Sequence, residues 1–217
     1  MKIHTLDELT NKLDEELAWR KKELSAFKYY IDKPQTGSRR DVLSRCGIVI
    51  LYAHWEGFVK LASKYFLEFL STKRLRNEQL KNNLLTLSLY HSVNFSSESR
   101  KYSEYGKVTN FFIENFSDRA ILPHRTGLDT KSNLSSTVLK EILWCLGIDY
   151  SWYETKEKFI DSRLLDRRNH IAHGKELYVD IKEFEEMRSI VTEMMAKLKT
   201  ELENSAVTES YIKVAPE

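Results

Sequence analysis

Apolar residues along this chain recur every three or four positions and seldom every second one, the repeat of helices with one covered face. The first stripe is Leu6, Leu9, Leu13, Leu17, Leu24 and Phe27, with Trp19 beside it. Thr5 and Glu8 stand where a reciprocal cap would open such a helix, and the pattern predicts one running to about residue 30. Pro34 and Gly37 predict a turn over residues 34–38. A second helix is expected from about 38 to 70, apolar almost all round through Val42, Cys46, Val49, Ile50, Ala53, Phe58, Leu61, Ala62, Tyr65, Phe66 and Phe69. Such a helix is surrounded by others, which makes it the expected spine of a bundle. Gly47 and Gly57 inside it each cost about 1 kcal/mol of helix propensity. Close approach of another helix, or of a partner chain, would account for them.

The stretch 71–150 is less regular. Residues 77–90 predict a helix through Leu80, Leu84 and Leu87, and the Ser-rich residues 92–103 a loop. Residues 105–116 read as a short aromatic helix, and residues 118–133, with Pro123 and Gly127, as a loop or small hairpin. Asn133 or Ser135 then caps a helix carrying Val138, Leu139, Ile142, Leu143 and Leu146, which Gly147 ends. The next helix opens at Asp149 or Ser151, faces Trp152, Phe159, Ile160, Leu164, Leu165 and Ile171 to the core, and closes at Gly174. Val179 or Asp180 opens the last, whose stripe is Phe184, Met187, Ile190, Val191, Met194, Met195, Leu198 and Leu202. The chain therefore reads as all-α: one helical domain over 1–203, with a variable middle at 71–150 and a flexible polar tail over 204–217.

The helix that ends at Gly174 carries Arg167, Arg168, Asn169, His170 and His173 in its last turns. Asn169 and His173 share a face, and Arg168 lies within reach of it. Arginine presents a planar fork of donors matched to a phosphate. Histidine can take or give a proton near neutral pH. Together they suit RNA cleavage by attack of a 2′-hydroxyl on the adjacent phosphate. Arg168 would stabilise charge on the phosphorane oxygens, a contribution typically of about 3–4 kcal/mol, while His173 would handle a proton or fix the phosphate. Equally, Arg, Asn and His are common as solvated groups closing a helix.

Arg168-Asn169-His170-Ile171-Ala172-His173 resembles the Arg-x4–6-His signature of the HEPN superfamily, down to the polar residue after the arginine and the trailing Gly174. Leu51-Tyr52-Ala53-His54-Trp55-Glu56-Gly57-Phe58-Val59-Lys60 resembles a helix of an MAE-like bacterial branch close to the RiboL-PSP type. Both blocks in this order are far more specific than either alone. The resemblance implies a HEPN-like helical bundle with a long central helix. It also implies a homodimer with the motifs facing across the interface, and a metal-independent endoribonuclease of a toxin or antiviral-defence system. On it, Arg168, His173 and Asn169 are the catalytic candidates. His170, His54, Glu56 and Arg167 would support them, His54 as an orienter and Glu56 as a partner of Arg168 or Arg167. RNA is the implied partner, with a cognate antitoxin or defence protein beside it. Two other readings stand: a non-catalytic HEPN-like module that binds RNA, a nucleotide or a protein, and an antitoxin-like neutralising subunit.

Composition narrows this only at the margins. With 217 residues, 30% of them charged, the chain has a globular composition and room for a real core. No apolar run approaches a membrane span and the N-terminus lacks a signal-peptide core, so a cytoplasmic protein without membrane contact is expected. Cys46 and Cys145 read as two buried free thiols. The net charge of +2 neither demands nor excludes RNA, but Arg39-Arg40, Lys73-Arg74-Leu75-Arg76, the run from Arg163 to Arg168, and His124, Arg125 and Lys131 are candidate phosphate contacts. No phosphate-binding glycine loop, HExxH or Gly-x-Ser-x-Gly occurs. His170 and His173 have a metal-compatible spacing without a completing cluster, and no cofactor is expected.

Overall fold

The computed structural model describes residues 2–32, 38–93, 102–131 and 133–214. The predicted turn at 34–38 and most of the predicted loop at 92–103 lie outside them, as do the side chains of Arg39 and Arg40. The architecture is all-α. Its helices are α1 (Leu6–Asp32), α2 (Ser38–Thr72), α3 (Asn82–Val93), α4 (Tyr102–Asn110), α5 (Ser136–Leu146), α6 (Ser151–Glu154), α7 (Asp166–Ala172) and α8 (Ile181–Val207).

Local chemistry sets the ends of the long helices. Thr5 Oγ1 accepts from the Glu8 amide at 3.2 Å and the Glu8 carboxylate from the Thr5 amide at 3.0 Å, the reciprocal cap expected for α1. The Ser135 side chain caps α5 and that of Asp180 caps α8. Gly147, at φ 72°, ends α5 in the left-handed conformation that favours glycine.

The three long helices α1, α2 and α8 pack pairwise around one core. α2, 35 residues and about 52 Å long, is the spine. It contributes Trp55, Phe58, Phe66 and Phe69, which share the buried core with Leu9, Leu13 and Leu24 of α1 and with Phe184, Met187, Val191, Met194, Met195, Leu198 and Leu202 of α8. Gly47 is the point of closest approach: a Cβ there would lie 2.5 Å from the Phe184 ring and 2.9 Å from that of Phe27. The glycine thus lets α1 and α8 converge on α2. α5 packs on α3 and α2, and α7 closes against α2 on another side.

Three expectations change. The tail expected to be mobile from 204 onward is docked as far as residue 214 is described. α8 continues to Val207, Tyr211 is buried, its carbonyl accepts from Lys81 at 3.0 Å, and the Lys213 amide donates to Gln79 at 2.8 Å. The apolar pair Tyr211-Ile212 supplies the anchor, and burial pushes the Tyr211 phenol up to about 12. Second, α2 is not covered all round: Val42 and Cys46 are exposed and Val49 and Ile50 half-buried. Cys46 is therefore a surface thiol, whereas Cys145 is half-buried with burial pushing its thiol up to about 11. Third, the motif helix is interrupted. Turn residues follow α6, and a wide π-type segment, Phe159–Leu165, leads into α7.

Candidate active site

The wide segment sets the phase of the motif. The Asp166 amide donates to the Asp161 carbonyl five residues back, so one extra residue is accommodated and all that follows is rotated relative to a continuous α-helix. The Asp161 carboxylate fixes this turn in place by accepting from the Ser136 amide (2.7 Å) and hydroxyl (2.6 Å) at the start of α5. Phe159, Ile160, Leu164 and Leu165 are buried as predicted. Trp152 is only half-buried, and Tyr153 takes the core place, ringed by Trp55, Tyr150 and Trp152.

The far end of α7 is equally determined. Gly174, at φ 72°, donates to Ile171, and Lys175 donates to His170, both at 3.0 Å, satisfying carbonyls the ending helix leaves open. The Lys175 carbonyl accepts from Arg45 of α2 at 3.1 Å, which ties the turn to the spine.

Between these fixed ends the motif side chains diverge. Arg168 turns toward α2. Its guanidinium carbon lies 4.0 Å from the centroid of the Tyr52 ring, and Nη2 donates to Asn133 Oδ1 at 2.8 Å. Tyr52 is buried, and its hydroxyl accepts from the Leu134 amide at 2.7 Å. Burial pushes its phenol up, opposed by the Leu134 amide and by Arg168. Glu56, one turn along α2 on the same face, accepts from Thr130 at 2.8 Å. Thr130 and Leu134 are thus each tied to the spine, and Asn133 is held against the arginine.

Arg167 turns the other way, to α8, where Nη2 meets the Glu183 carboxylate at 2.7 Å. Arg163 joins it there, bonded to both oxygens of Glu186 at 3.0 Å and 3.5 Å from Glu183. Asn169 is half-buried, and its carbonyl accepts from the His173 amide at 3.0 Å. His173 ends the helix with its residue exposed. His170 is exposed too, its Nδ1 2.9 Å from the Asp166 carbonyl of its own helix.

His54 is not brought to Arg168. It is buried on the α1 side of the spine, edge-on to Trp19 and with Nε2 2.8 Å from a Glu23 carboxylate oxygen. Burial holds its imidazole below the usual range, outweighing the pull of Glu23 toward the charged form. The reason is helical phase: residues two apart face opposite ways, so Tyr52 looks at Arg168 and Glu56 at Thr130 while His54 looks at α1. Tyr52 and Asn133 had no assigned part in the site. Tyr52 stood inside the quoted block and its four-residue spacing from Glu56 was visible, whereas Asn133 had no signal beyond a possible cap.

The basic clusters disperse. Lys73 lies over Phe69, and Arg76 is 3.6 Å from Glu78. Arg125 and Lys131 are exposed, and His124 is half-buried with Nδ1 3.1 Å from the Leu122 carbonyl. Beside the Arg45 tie, the uncovered strip of α2 forms an open groove of about 540 Å³ lined by Val42, Arg45, Cys46, Val49, Ile50 and Ile171. No helix among the described residues is long and apolar enough to cross a membrane.

The family model described as RiboL-PSP-HEPN matches residues 15–204, nearly the whole helical body. The chain belongs to the RiboL-PSP-HEPN family. No curated protein and no solved structure matches it.

Proposed function

Taking a RiboL-PSP-HEPN protein with this arrangement around Arg168 as the premise, we propose that the chain is a metal-independent endoribonuclease acting as a homodimer. The observation that carries the reading is the placement of Arg168, set against an aromatic face and an amide at the edge of the molecule, on the helix whose end carries the exposed His173. The apolar groove beside that helix is the surface on which a second copy would sit, bringing two Arg168/His173 pairs to one phosphate.

In the proposed reaction the 2′-oxygen forms a bond to the phosphorus and the bond to the 5′-oxygen breaks. The products are a 2′,3′-cyclic phosphate and a 5′-hydroxyl. Arg168 donates to the non-bridging oxygens as their charge grows. His173 of one protomer takes the 2′-hydroxyl proton, and protonated His173 of the other delivers one to the departing 5′-oxygen. Asn169 keeps the histidine backbone in place through its carbonyl. On this reading the protein is a toxin or defence effector acting on cytoplasmic RNA, restrained by a cognate partner.

The test is incubation of the purified chain with total RNA in EDTA, beside Arg168→Ala and His173→Ala. Cleavage by the wild type alone, leaving cyclic-phosphate ends, is the expected result. Intact RNA at every protein concentration would leave the non-catalytic HEPN-like module as the reading.

A further inference from the structure

We infer that Tyr52 and Asn133 are positioning residues for Arg168, a two-sided clamp that aims its guanidinium; the inference rests on the ribonuclease reading above. A free arginine side chain has four flexible torsions and loses a large rotamer entropy when it must hold one geometry. Here the Tyr52 ring takes the guanidinium face, 4.0 Å from its centroid, and Asn133 takes one edge at 2.8 Å. Contact on a face and on an edge fixes both the plane of the fork and its rotation within that plane. Tyr52 and Asn133 are both uncharged, so the clamp acts by orientation.

The clamp is itself braced. The Tyr52 hydroxyl is occupied by the Leu134 amide, the residue after Asn133, so ring and amide move as one unit. The Thr130–Glu56 bond anchors the same segment one turn further along α2. A segment from the variable middle of the chain thereby contributes to the site by touching the arginine rather than by facing a substrate.

The experiment compares the full-length wild type with Asn133→Ala, Tyr52→Leu and Tyr52→Phe. Three readouts are taken: cleavage of a fluorophore-quencher RNA oligonucleotide in EDTA, thermal unfolding, and ¹⁵N relaxation of the Arg168 Nε–H. Misaiming a transition-state donor by an ångström costs up to about 100-fold. Asn133→Ala and Tyr52→Leu are therefore expected to lower kcat roughly 10- to 100-fold with KM little moved and to loosen the Arg168 Nε–H. Tyr52→Phe, which keeps the ring, should retain more of both than Tyr52→Leu. Unchanged or raised kcat in Asn133→Ala overturns the inference, and so does a fall in kcat with Arg168 as rigid as before. If the wild type itself leaves the oligonucleotide intact, the ribonuclease reading fails first. The relaxation arm then separates the two failures, because an Arg168 unmoved by either truncation shows that the clamp was absent as well.

Discussion

Arg167 and Arg168 are neighbours in sequence and opposites in surroundings. Arg167 faces α8 with Arg163, and both meet carboxylates: Glu183 at 2.7 Å for the first, Glu186 at 3.0 Å for the second. Arg168 faces α2 and is held by a phenol ring and an amide oxygen. On the α8 side the charges are matched within the protein, so their use is to hold two elements together. On the α2 side an aromatic ring and an amide oxygen orient the cation. Basic side chains in a run are thus sorted by what they touch, and a local count of arginines does not distinguish a seam from a site.

The sharpest way to break this comparison is to remove each arginine in turn. Arg168→Ala should lower RNA cleavage by about 10²–10³-fold, the loss typical of one transition-state donor, with unfolding temperature little changed. Arg167→Ala should leave the rate per folded molecule within a few-fold. Equal losses in the cleavage assay would erase the distinction. Next in size, Val49→Asp places a charge in the groove beside the motif. It should shift the chain from dimer to monomer in light scattering and take cleavage with it, because one copy alone lacks the second pair.

Smaller effects belong to the α8 seam. Glu183→Gln should cost at most about 1 kcal/mol, the range for partly exposed ion pairs, read as a small fall in the denaturation midpoint with cleavage kept. The weakest expected effect concerns His54. Its folded pKa is depressed by burial, so the unfolded chain binds its proton first as pH falls. The stabilisation is complete above the unfolded value of about 6.5 and is lost as pH drops from there through the folded value. Denaturation midpoints taken downward from pH 7 should fall in the wild type, with a shallower slope in His54→Gln.

Much of the fold was legible because it is written in local chemistry. The Thr5/Glu8 box, the Ser135 and Asp180 caps and the Gly147 and Gly174 ends act within a few residues of themselves, and each sits where the pattern placed it. The docked Tyr211 and the uncovered Val42 and Cys46 were not legible, since both depend on which surface lies opposite. The site divides the same way. That Arg168, Asn169 and His173 share the end of one helix could be read from spacing, and the family that the resemblance named is shown by the match over 15–204. That Arg168 would meet Asn133, and His54 meet Glu23, could not.

The sequence by itself determined that this chain is helical, where its long helices start, and that a cation and two imidazoles stand in the last turns of a helix closed by Gly174. Those outcomes follow from propensity, capping and the 3.6-residue repeat, which act over one or two turns. The tertiary structure decided which way each motif side chain looks. An extra residue in the wide turn at Phe159–Leu165 resets the phase of α7. The partners it then meets come from α2, α8 and Asn133, brought together only by burial of a shared core.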